Sequence, residues 1–306
     1  GPTQHAPPAA AAAAVPGRRP GDFLWLSVFK WEERKGWDVL LKAYFSAFTK
    51  DDPVLLAILT SEYHSKGGLT TFETQIKDFA IQENFDIEML PRVQLLTSLS
   101  QAGLRALYAA AGAVALPTRG EGWGRPHAEA MAMGRPVAAT AWSGPTEFMN
   151  ANNSYPIKIN GLTEVKSGPF AGHMWADPSA EHLAEIMRHI FSNKEEAEQK
   201  GAQARQDMIQ YYSPRVLAMQ VQELLEDISI TSSAAQKTIK NKHHEYEHGD
   251  GDDSQRPGKD AVDVEGLIMD VKLIDVLFVI LAVCSGYIIM KKVIRATRKK
   301  IKLKRA

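Results

Sequence analysis

Residues 113–134 read AVALPTRGEGWGRPHAEAMAMG, an apolar run that enters a glycine-bearing loop and continues into a short helix. Pro126 suits the first turn of a helix, where the N–H group that proline lacks would have no intrahelical partner. Gly134 suits a left-handed cap at the end of that helix. The stretch predicts a strand, a loop and a helix, and the unpaired N–H groups at such a helix N-terminus attract phosphate.

Two carboxylates belong to this loop and helix. Glu121 lies in the loop and Glu129 about one turn into the helix, so we expect both to face one pocket. Carboxylate oxygens accept hydrogen bonds from sugar hydroxyls, and the helix N-terminus attracts phosphate. Two glutamates in a loop are also typical of a solvated surface. Together with the glycines and the proline, they favour a ligand that carries both phosphate and carbohydrate, as a nucleotide sugar does.

The segment Glu121-Gly-Trp-Gly-Arg-Pro-His-Ala-Glu129 resembles the signature of the family-4 (group 1) retaining glycosyltransferases, which have the GT-B fold of two facing Rossmann-like domains. The resemblance implies that Glu129 binds the ribose hydroxyls of a nucleotide and that Glu121 faces the hydroxyls of the transferred sugar. It further implies that a hexose passes from a nucleotide diphosphate sugar to a hydroxyl acceptor with retention at the anomeric carbon.

The residues between the two glutamates carry further implied contacts. The backbone amides of Gly122, Trp123 and Gly124 are expected to touch the sugar and the diphosphate. The family more often has an aliphatic residue where Arg125 stands, so this chain adds a cation near the phosphates. Family-4 enzymes are regarded as needing no bound metal, and the sequence shows no acidic metal-binding triplet, so we expect neither a metal nor another cofactor.

A basic loop, Lys30-Trp-Glu-Glu-Arg-Lys35-Gly36, follows the first predicted strand. It resembles the loop of the same family whose two cations bind the diphosphate and stabilise it as it leaves. Breaking the sugar–phosphate bond builds negative charge on the β-phosphate, where a preorganised cation is most effective. Lys35 precedes a glycine as in the family, whereas Phe29-Lys30 stands in place of the family's Gly-Arg pair, at a shorter spacing. A Lys-Gly pair beside a helix is otherwise typical of a solvated loop.

From residue 23 onward, strand and helix patterns alternate. Strand patterns occupy residues 23–29, 54–59, 93–97, 113–117 and 136–140, and helical patterns occupy residues 37–48, 72–79 and 101–110, with a further helix beginning at Ser143. This alternation predicts an α/β fold with a doubly wound, Rossmann-like parallel sheet, whose ligands bind at the carboxyl ends of the strands. The two loops described above follow strands, so one crevice can hold both. We expect the nucleotide base near residues 97–100.

The resemblance covers residues 21–228, which form the predicted nucleotide-sugar-binding domain. From Trp175 the pattern is helical, with amphipathic helices over residues 180–191, 194–212 and 215–228. In the GT-B fold the acceptor site belongs to an N-terminal domain, which we expect this sequence to lack. The isolated chain is therefore expected to need that domain or a partner subunit for catalysis.

The flanking segments have a different composition. Residues 1–20 are rich in Ala and Pro and predict a disordered linker, and residues 229–270 predict a disordered polar linker. Residues 271–290 predict one transmembrane helix, because the run Leu273–Met290 contains Asp275 as its only charged residue. As a helix this run spans about 27 Å, close to the hydrocarbon core of a thin bilayer.

The basic tail, residues 291–306, indicates the orientation of that helix. The positive-inside rule places its many Lys and Arg residues in the cytosol and the folded domain in the lumen of the endoplasmic reticulum or Golgi. The glycosylation pattern Asn152-Asn-Ser154 and the terminal Lys302-Leu-Lys304-Arg-Ala306, which resembles a dilysine retrieval signal, agree with this orientation. A tail anchor inserted after translation would instead leave the domain cytosolic.

Charge and cysteine content exclude several classes of protein. Lys+Arg and Asp+Glu balance at 36 each, so the chain has no electrostatic footprint for nucleic acid. Cys284 is the only cysteine, which excludes intramolecular disulfides and cysteine-based metal sites. Besides the glycosyltransferase, a non-catalytic membrane-tethered nucleotide-sugar-binding module and a phosphorylase of the same fold stay open. Lipid, glycan and protein acceptors are all compatible with the sequence.

Overall fold

The computed structural model describes residues 15–61, 68–166, 168 and 170–226. The chain divides into two compact units, Gly1–Ile209 and Gln210–Ala306. The first unit contains the α/β domain. In the second unit the structure describes a helix over residues 214–226, close to the helix predicted over residues 215–228.

A six-stranded parallel sheet forms the centre of the domain, in the order β3-β2-β1-β4-β5-β6. The strands are β1 Phe23–Lys30, β2 Val54–Ser61, β3 Arg92–Leu96, β4 Ala113–Leu116, β5 Val137–Thr140 and β6 Tyr155–Ile157. Parallel neighbours require crossover connections, and helices supply most of them. The predicted Rossmann-like parallel sheet is confirmed.

The helices of the domain are α1 Trp37–Ala47, α2 Gly68–Gln82, α3 Gln101–Ala110, α4 Arg125–Ala132, α5 Ala180–Ser192 and α6 Lys194–Tyr212. Side-chain caps define the starts of two of them. Ser100 Oγ accepts a hydrogen bond from the Gly103 N–H at the start of α3, and Ser179 Oγ accepts one from the His182 N–H at the start of α5, both at 3.1 Å. Such caps satisfy N–H groups that have no intrahelical partner.

Strand β1 is covered on both faces. Leu24, Trp25 and Leu26 are fully buried, although successive side chains of a strand point to opposite faces. Trp25 belongs to the main hydrophobic core together with Leu41 of α1 and Leu183 of α5. A strand buried on both faces is typical of a doubly wound sheet. The continuous apolar run at the start of β1 therefore follows from its central place in the sheet.

The helix predicted from Ser143 is wrong. The structure has a 3-10 turn over Gly144–Glu147 at this place. Ser143 has a left-handed φ of 59°, and Asn153 binds the residues that follow the turn, accepting from the Asn150 N–H at 2.8 Å and donating to Phe148 O at 2.9 Å. Asparagine side chains compete with helical backbone bonds in this way, so the segment closes as a turn.

The helical interpretation of the chain from Trp175 is wrong for its first residues. Met174–Pro178 is strand β8, which pairs antiparallel with β7, Ile159–Glu164, in a separate two-stranded sheet. Cross-strand pairing stabilises these residues as a strand, and α5 begins only after the Ser179 cap.

The described residues that precede the predicted domain boundary contact the domain. Val15 is buried, Arg18 Nη1 donates to Ala110 O at 3.4 Å, and Arg92 Nη1 donates to Gly17 O at 2.9 Å. Residues 1–20 are predicted to be a linker, but the part of this segment that the structure describes packs on the domain.

Several predicted segments lie outside the described residues. They are the first part of the Ala/Pro linker, the polar linker over residues 229–270, the transmembrane helix with the run Leu273–Met290, and the basic tail over residues 291–306. Within the described ranges, no helix combines the length and the apolar character needed to cross a bilayer.

Candidate functional site

The two predicted site loops leave the sheet side by side. Strands β1 and β4 are neighbours, with Trp25 opposite Ala113, and the strand order runs outward from them in both directions. This is the topological switch point, where an open parallel sheet leaves a crevice outside the carboxyl ends of its strands. The loop after β1, residues 31–36, is called the Lys loop below, and the loop after β4, residues 117–124, the Glu loop. Both border this crevice.

A glycine allows the two loops to touch. Gly36 ends the Lys loop with a φ of 67°, and a Cβ there would lie 2.0 Å from Pro117 O. The Arg119 N–H donates to Arg34 O at 2.8 Å and joins the two backbones. A left-handed backbone in such close contact with a carbonyl group requires glycine, which gives the Lys-Gly pair a structural reason.

Arg119 ties both loops to helix α1. Its guanidinium donates to the Asp38 carboxylate at 2.8 and 2.6 Å and to Glu33 O at 2.6 Å. Burial disfavours the charged guanidinium, but its hydrogen bonds to the Asp38 carboxylate and the negative charge of that carboxylate outweigh burial and raise the pKa of Arg119. Arg119 is absent from the predicted site because Asp38 lies 81 residues away and no local pattern connects them.

Lys35 and Glu121 form an ion pair in the crevice. Lys35 Nζ lies 2.6 Å from Glu121 Oε1, and Arg34 Nη1 lies 3.4 Å from Glu121 Oε2. The Glu121 side chain is 9% exposed and the Lys35 side chain 12%. A carboxylate so withdrawn from water needs a cation or strong hydrogen-bond donors to remain ionised. The pair therefore places one cation and one anion at the same point of the crevice.

The loop after β5 supports the backbone of Glu121. The Glu121 N–H donates to Ser143 Oγ at 2.9 Å, and the Gly144 N–H donates to Glu121 O at 3.0 Å. A Cβ on Gly144 would lie 2.3 Å from Gly122 O, so a larger residue would push the loops apart. Neither Ser143 nor Gly144 belongs to the predicted site, because their sequence pattern indicates only a turn or a helix start.

Helix α4 begins at the edge of the sheet that carries the crevice. Gly124 caps its start with a φ of 90°, and Pro126 lies in its first turn as predicted. A Cβ on Gly122 would meet nothing within 4 Å, so the backbone before the helix borders open space. The Trp123 ring packs on Phe148, with ring centroids 4.9 Å apart. The positive end of the α4 dipole is thus directed at this edge.

Glu129 lies in the middle of α4 and has two partners. Tyr108 Oη donates to Glu129 Oε2 at 3.2 Å, and Arg125 Nη2 lies 3.4 Å from Glu129 Oε1. Burial and the charge of Glu129 raise the pKa of Tyr108, so its hydroxyl remains a donor. The Arg125 side chain is 84% exposed, and a pair so exposed contributes little to stability. Tyr108 is a further site residue that no pattern in the sequence marks.

Lys30 and the predicted base region lie at the same edge of the sheet. Lys30 is the exposed last residue of β1. Within the part of the chain that the structure describes, Lys35 and Arg34 are the cations within 4 Å of Glu121. The structure therefore joins the second predicted cation to Glu121 and not the first. Residues 97–100 follow β3 and are exposed, and base binding there stays a prediction.

His127 is buried beneath the Glu loop. It is 1% exposed, and no described residue forms a hydrogen bond of good geometry with either ring nitrogen. A Cβ on Gly124 would lie 2.8 Å from His127 Nδ1. Burial lowers the pKa of His127 to about 4, while the charge of Glu121 opposes this shift and the charge of Lys35 adds to it. The ring is neutral at pH 7 and packs as an apolar group.

We expect acid to destabilise the domain through His127. The unfolded chain binds a proton at the ordinary pKa of 6.5, whereas the folded chain binds it only at about 4. The stabilisation is therefore complete above pH 6.5 and is lost as the pH falls toward 4, by about 3 kcal/mol in all. Urea unfolding of the wild type and of His127→Leu across this pH range measures the difference. Parallel stability curves for the two proteins would show that the ring is not held neutral.

The described residues contain no group of three His, Cys, Asp or Glu side chains placed to hold a metal ion. The expectation that donor binding needs no metal stays a prediction.

Three solved structures illustrate the fold. Sucrose-phosphate synthase from Thermosynechococcus elongatus matches with a TM-score of 0.55 and 18% identity, over 73% of this chain and 50% of that one. HepE from Anabaena, in complex with UDP and glucose, matches with a TM-score of 0.51 and 18% identity, over 67% and 48%. A glycosyltransferase from Rickettsia africae matches with a TM-score of 0.52 and 19% identity, over 69% and 48%. At these identities the likeness shows a shared fold.

The chain spans about half the length of these solved structures. No curated protein matches it. Residues 20–193, more than half of the chain, match the family described as "Glycosyl transferases group 1". The described domain is accordingly one Rossmann-like half of the GT-B fold, and the chain belongs to the group 1 glycosyl transferases.

Proposed function

We propose that the described domain binds a nucleoside diphosphate sugar and serves as the donor half of a retaining glycosyltransferase, which transfers a hexose to a hydroxyl acceptor. The observation that carries this proposal is the 2.6 Å contact between Lys35 and Glu121 at the switch point of the parallel sheet. The contact puts a cation for phosphate and a carboxylate for sugar hydroxyls into one crevice. Membership of the family supports transferase chemistry.

Donor binding exchanges the partners of these two side chains. During transfer, the bond between the anomeric carbon and the β-phosphate oxygen breaks, and its electron pair stays on that oxygen. The acceptor oxygen bonds to the anomeric carbon on the same face, and the acceptor proton passes to a diphosphate oxygen. Lys35 stabilises the charge that grows on the diphosphate. Glu121, released from Lys35, accepts hydrogen bonds from the sugar hydroxyls.

The rest of the donor extends along the start of α4. Glu129 accepts hydrogen bonds from the ribose hydroxyls, and Tyr108 holds its carboxylate from the protein side. The backbone amides at residues 122–124 and the α4 dipole face the diphosphate. Arg125 and Lys30 supply further positive charge at the exposed rim of the crevice.

The acceptor requires a second domain. The residues described here form one Rossmann-like half, and in the GT-B fold the acceptor site belongs to the other half. We therefore assign donor binding to this domain and transfer to the protein in which it faces an acceptor domain, in the same chain or on a partner. Lipid, glycan and protein acceptors all fit this assignment.

Saturation-transfer NMR tests donor binding directly. The full chain is mixed with UDP-glucose, GDP-mannose and ADP-glucose in the presence of EDTA, and UDP-glucose comes first because HepE was solved with UDP and glucose. We expect saturation transfer to both the ribose and the hexose protons of one of these compounds. If none of them shows transfer, with EDTA or with added Mg²⁺, the proposal is wrong. Transfer seen only with Mg²⁺ would contradict the metal-free expectation alone.

Substitution of the two glutamates separates their roles. We expect Glu129→Ala to weaken binding of the nucleoside diphosphate about tenfold, because the ribose loses a charged acceptor. We expect Glu121→Ala to leave that affinity within about twofold and to remove the preference for one hexose over another. Calorimetry with the nucleoside diphosphate and with the nucleotide sugars measures both quantities.

The matched control is Glu83→Ala. Glu83 forms an ion pair with Lys42 at 2.8 Å and follows the end of α2, outside the crevice. Its replacement should change neither quantity. Equal losses of nucleotide affinity and sugar preference in Glu121→Ala and Glu129→Ala would refute the division of roles.

A non-catalytic donor-binding subunit is the alternative function. It is favoured by one observation, namely that the described residues form one Rossmann-like half, whereas the acceptor site of the GT-B fold belongs to the other half. Incubation of the full chain with the bound nucleotide sugar and candidate lipid or glycan acceptors discriminates between the two. Transfer by the chain alone supports an enzyme, whereas transfer only after a second protein is added supports a subunit.

We further propose that the protein is anchored in a membrane of the endoplasmic reticulum or Golgi, with the domain in the lumen. The charge asymmetry around Leu273–Met290 and the exposed position of Asn152 support this topology. In sealed vesicles the domain should resist added protease, and endoglycosidase should shift the protein on a gel. A digested domain together with no shift would contradict the proposal.

A further inference from the structure

Glu121 has two cationic neighbours, and the proposed function employs only one of them. Lys35 Nζ lies 2.6 Å from one carboxylate oxygen and Arg34 Nη1 lies 3.4 Å from the other. We propose that Arg34 is a positioning residue, which keeps the Glu121 carboxylate directed at the donor sugar when Lys35 turns to the diphosphate. This inference rests on the proposed function and extends it.

Arg34 is fixed in place by acceptors other than Glu121. Its Nη1 donates to Gly120 O at 2.6 Å, and its Nη2 lies 2.7 Å from Glu32 Oε1. Its side chain is 24% exposed. A guanidinium that holds two acceptors in its planar fork loses both if it moves toward a ligand. Arg34 is therefore built to stay beside Glu121.

Lys35 is held differently. Its ammonium group is a compact charge at the end of a flexible stem and can redirect its donors by rotation. The contact that the structure gives it is the one with Glu121. A diphosphate carries more negative charge than one carboxylate, so it competes effectively for this ammonium group. Of the two cations, Lys35 is the one that can change partners.

If Lys35 moves to the diphosphate, the Glu121 carboxylate loses its nearest counterion. A carboxylate that is only 9% exposed cannot be stabilised by water alone. Arg34 approaches the other oxygen within 3.4 Å, so a small movement of the carboxylate completes that ion pair. Glu121 then stays charged and oriented, with Oε1 available to a sugar hydroxyl. The effect of Arg34 should therefore appear in sugar binding and not in binding of the nucleotide.

Calorimetry on the full chain tests this assignment with Arg34→Gln, Arg34→Lys, Glu121→Gln and the double variant Arg34→Gln/Glu121→Gln. Each protein is titrated with UDP, GDP and ADP and with UDP-glucose, GDP-mannose and ADP-glucose. We expect Arg34→Gln to bind the preferred nucleoside diphosphate within about twofold of wild type. The ratio of its affinity for the nucleotide sugar to its affinity for the nucleoside diphosphate should fall about tenfold. Arg34→Lys, which keeps the charge but not the fork, should recover part of that loss.

The double variant supplies the readout that a merely structural role would not give. If Arg34 acts through Glu121, the double variant should bind the nucleotide sugar as Glu121→Gln does, with no further loss. Arg188→Gln is the matched control, because Arg188 pairs with Asp52 at 3.0 Å before β2, at the opposite end of the strands. This variant should behave as wild type.

Four outcomes overturn the inference. If Arg34→Gln lost affinity for the nucleoside diphosphate and for its nucleotide sugar by the same factor, Arg34 would bind the diphosphate itself. An unchanged contribution of the hexose in both Arg34 variants, or additive losses in the double variant, would mean that Arg34 does not act on Glu121. If the wild-type chain binds none of the six compounds, the proposed function is wrong and this inference falls with it. That result is obtained before any variant is compared.

Discussion

Gly36→Ala should destabilise the domain by about 2–5 kcal/mol and abolish measurable donor binding, the largest effect that we expect from a single methyl group in this site. The new Cβ would lie 2.0 Å from Pro117 O, and the residue has a φ of 67°. The left-handed backbone disfavours alanine, and the clash with a backbone carbonyl forces the Lys loop and the Glu loop apart. Lys35 is the preceding residue in the chain, so it would move away from Glu121.

Gly21→Ala is the matched control for this substitution. Gly21 has a φ of 85°, but a Cβ there would meet nothing within 4 Å. We expect a loss of about 1 kcal/mol from the left-handed backbone alone, with donor binding intact. Urea unfolding and calorimetry on both variants measure the two quantities. Similar stabilities and similar affinities for the two variants would show that the close approach of the loops is not essential.

Lys35→Met should weaken binding of the nucleoside diphosphate about 100-fold, equivalent to about 3 kcal/mol. Methionine keeps most of the length of the side chain and removes its charge. The diphosphate would then lose the cation that the structure places in the crevice, 2.6 Å from Glu121 Oε1. Arg34 stays bound to Gly120 O and Glu32 and cannot replace it. Calorimetry with the preferred nucleoside diphosphate measures the change.

Lys42→Met provides the control, because Lys42 forms an ion pair of 2.8 Å with Glu83 away from the crevice. Its removal should leave nucleotide affinity unchanged. A loss of less than about threefold in Lys35→Met would show that the diphosphate is held mainly by backbone amides and by the α4 dipole.

The sheet and most helices could be predicted because their information is local. Burial of residues close together in the chain produces the apolar run that begins β1 and the amphipathic spacing of α3 and α6. The predicted bounds of α3 and α6 agree with those in the structure. The order of strand and helix then fixes a parallel sheet. The Lys loop and the Glu loop lie side by side because β1 and β4 are neighbours at the switch point. Sequence order predicts this neighbourhood once the doubly wound fold class is assumed.

The errors share a different cause. Ser143 has a positive φ, and its hydroxyl accepts a hydrogen bond from the Glu121 N–H, a contact between separate loops. Strand β8 exists because β7 pairs with it. The Arg119–Asp38 pair joins residues that are far apart in the chain. In each case a tertiary contact determines the conformation or the role, and no local pattern carries that contact.

The site residues could be predicted in part. Lys35 and Glu121 were expected in one crevice, and the structure shows them bonded to each other. That contact depends on Gly36, whose close approach to Pro117 is visible only in three dimensions. Tyr108 and Arg34 extend the site in the same way, since each is recognised by what it touches and not by its neighbours in sequence.

Under the proposed function, the Lys35–Glu121 pair also determines how the crevice responds to fragments of its ligand. A lone hexose meets a carboxylate that already has a counterion, and a lone phosphate takes Lys35 but leaves Glu121 without a sugar hydroxyl to bind. A molecule that supplies both parts replaces both contacts at once. Under the proposed function, the two side chains neutralise each other until the donor binds, and we expect the site to bind the intact donor more tightly than either breakdown product. Titrations of glucose with and without UDP measure this coupling.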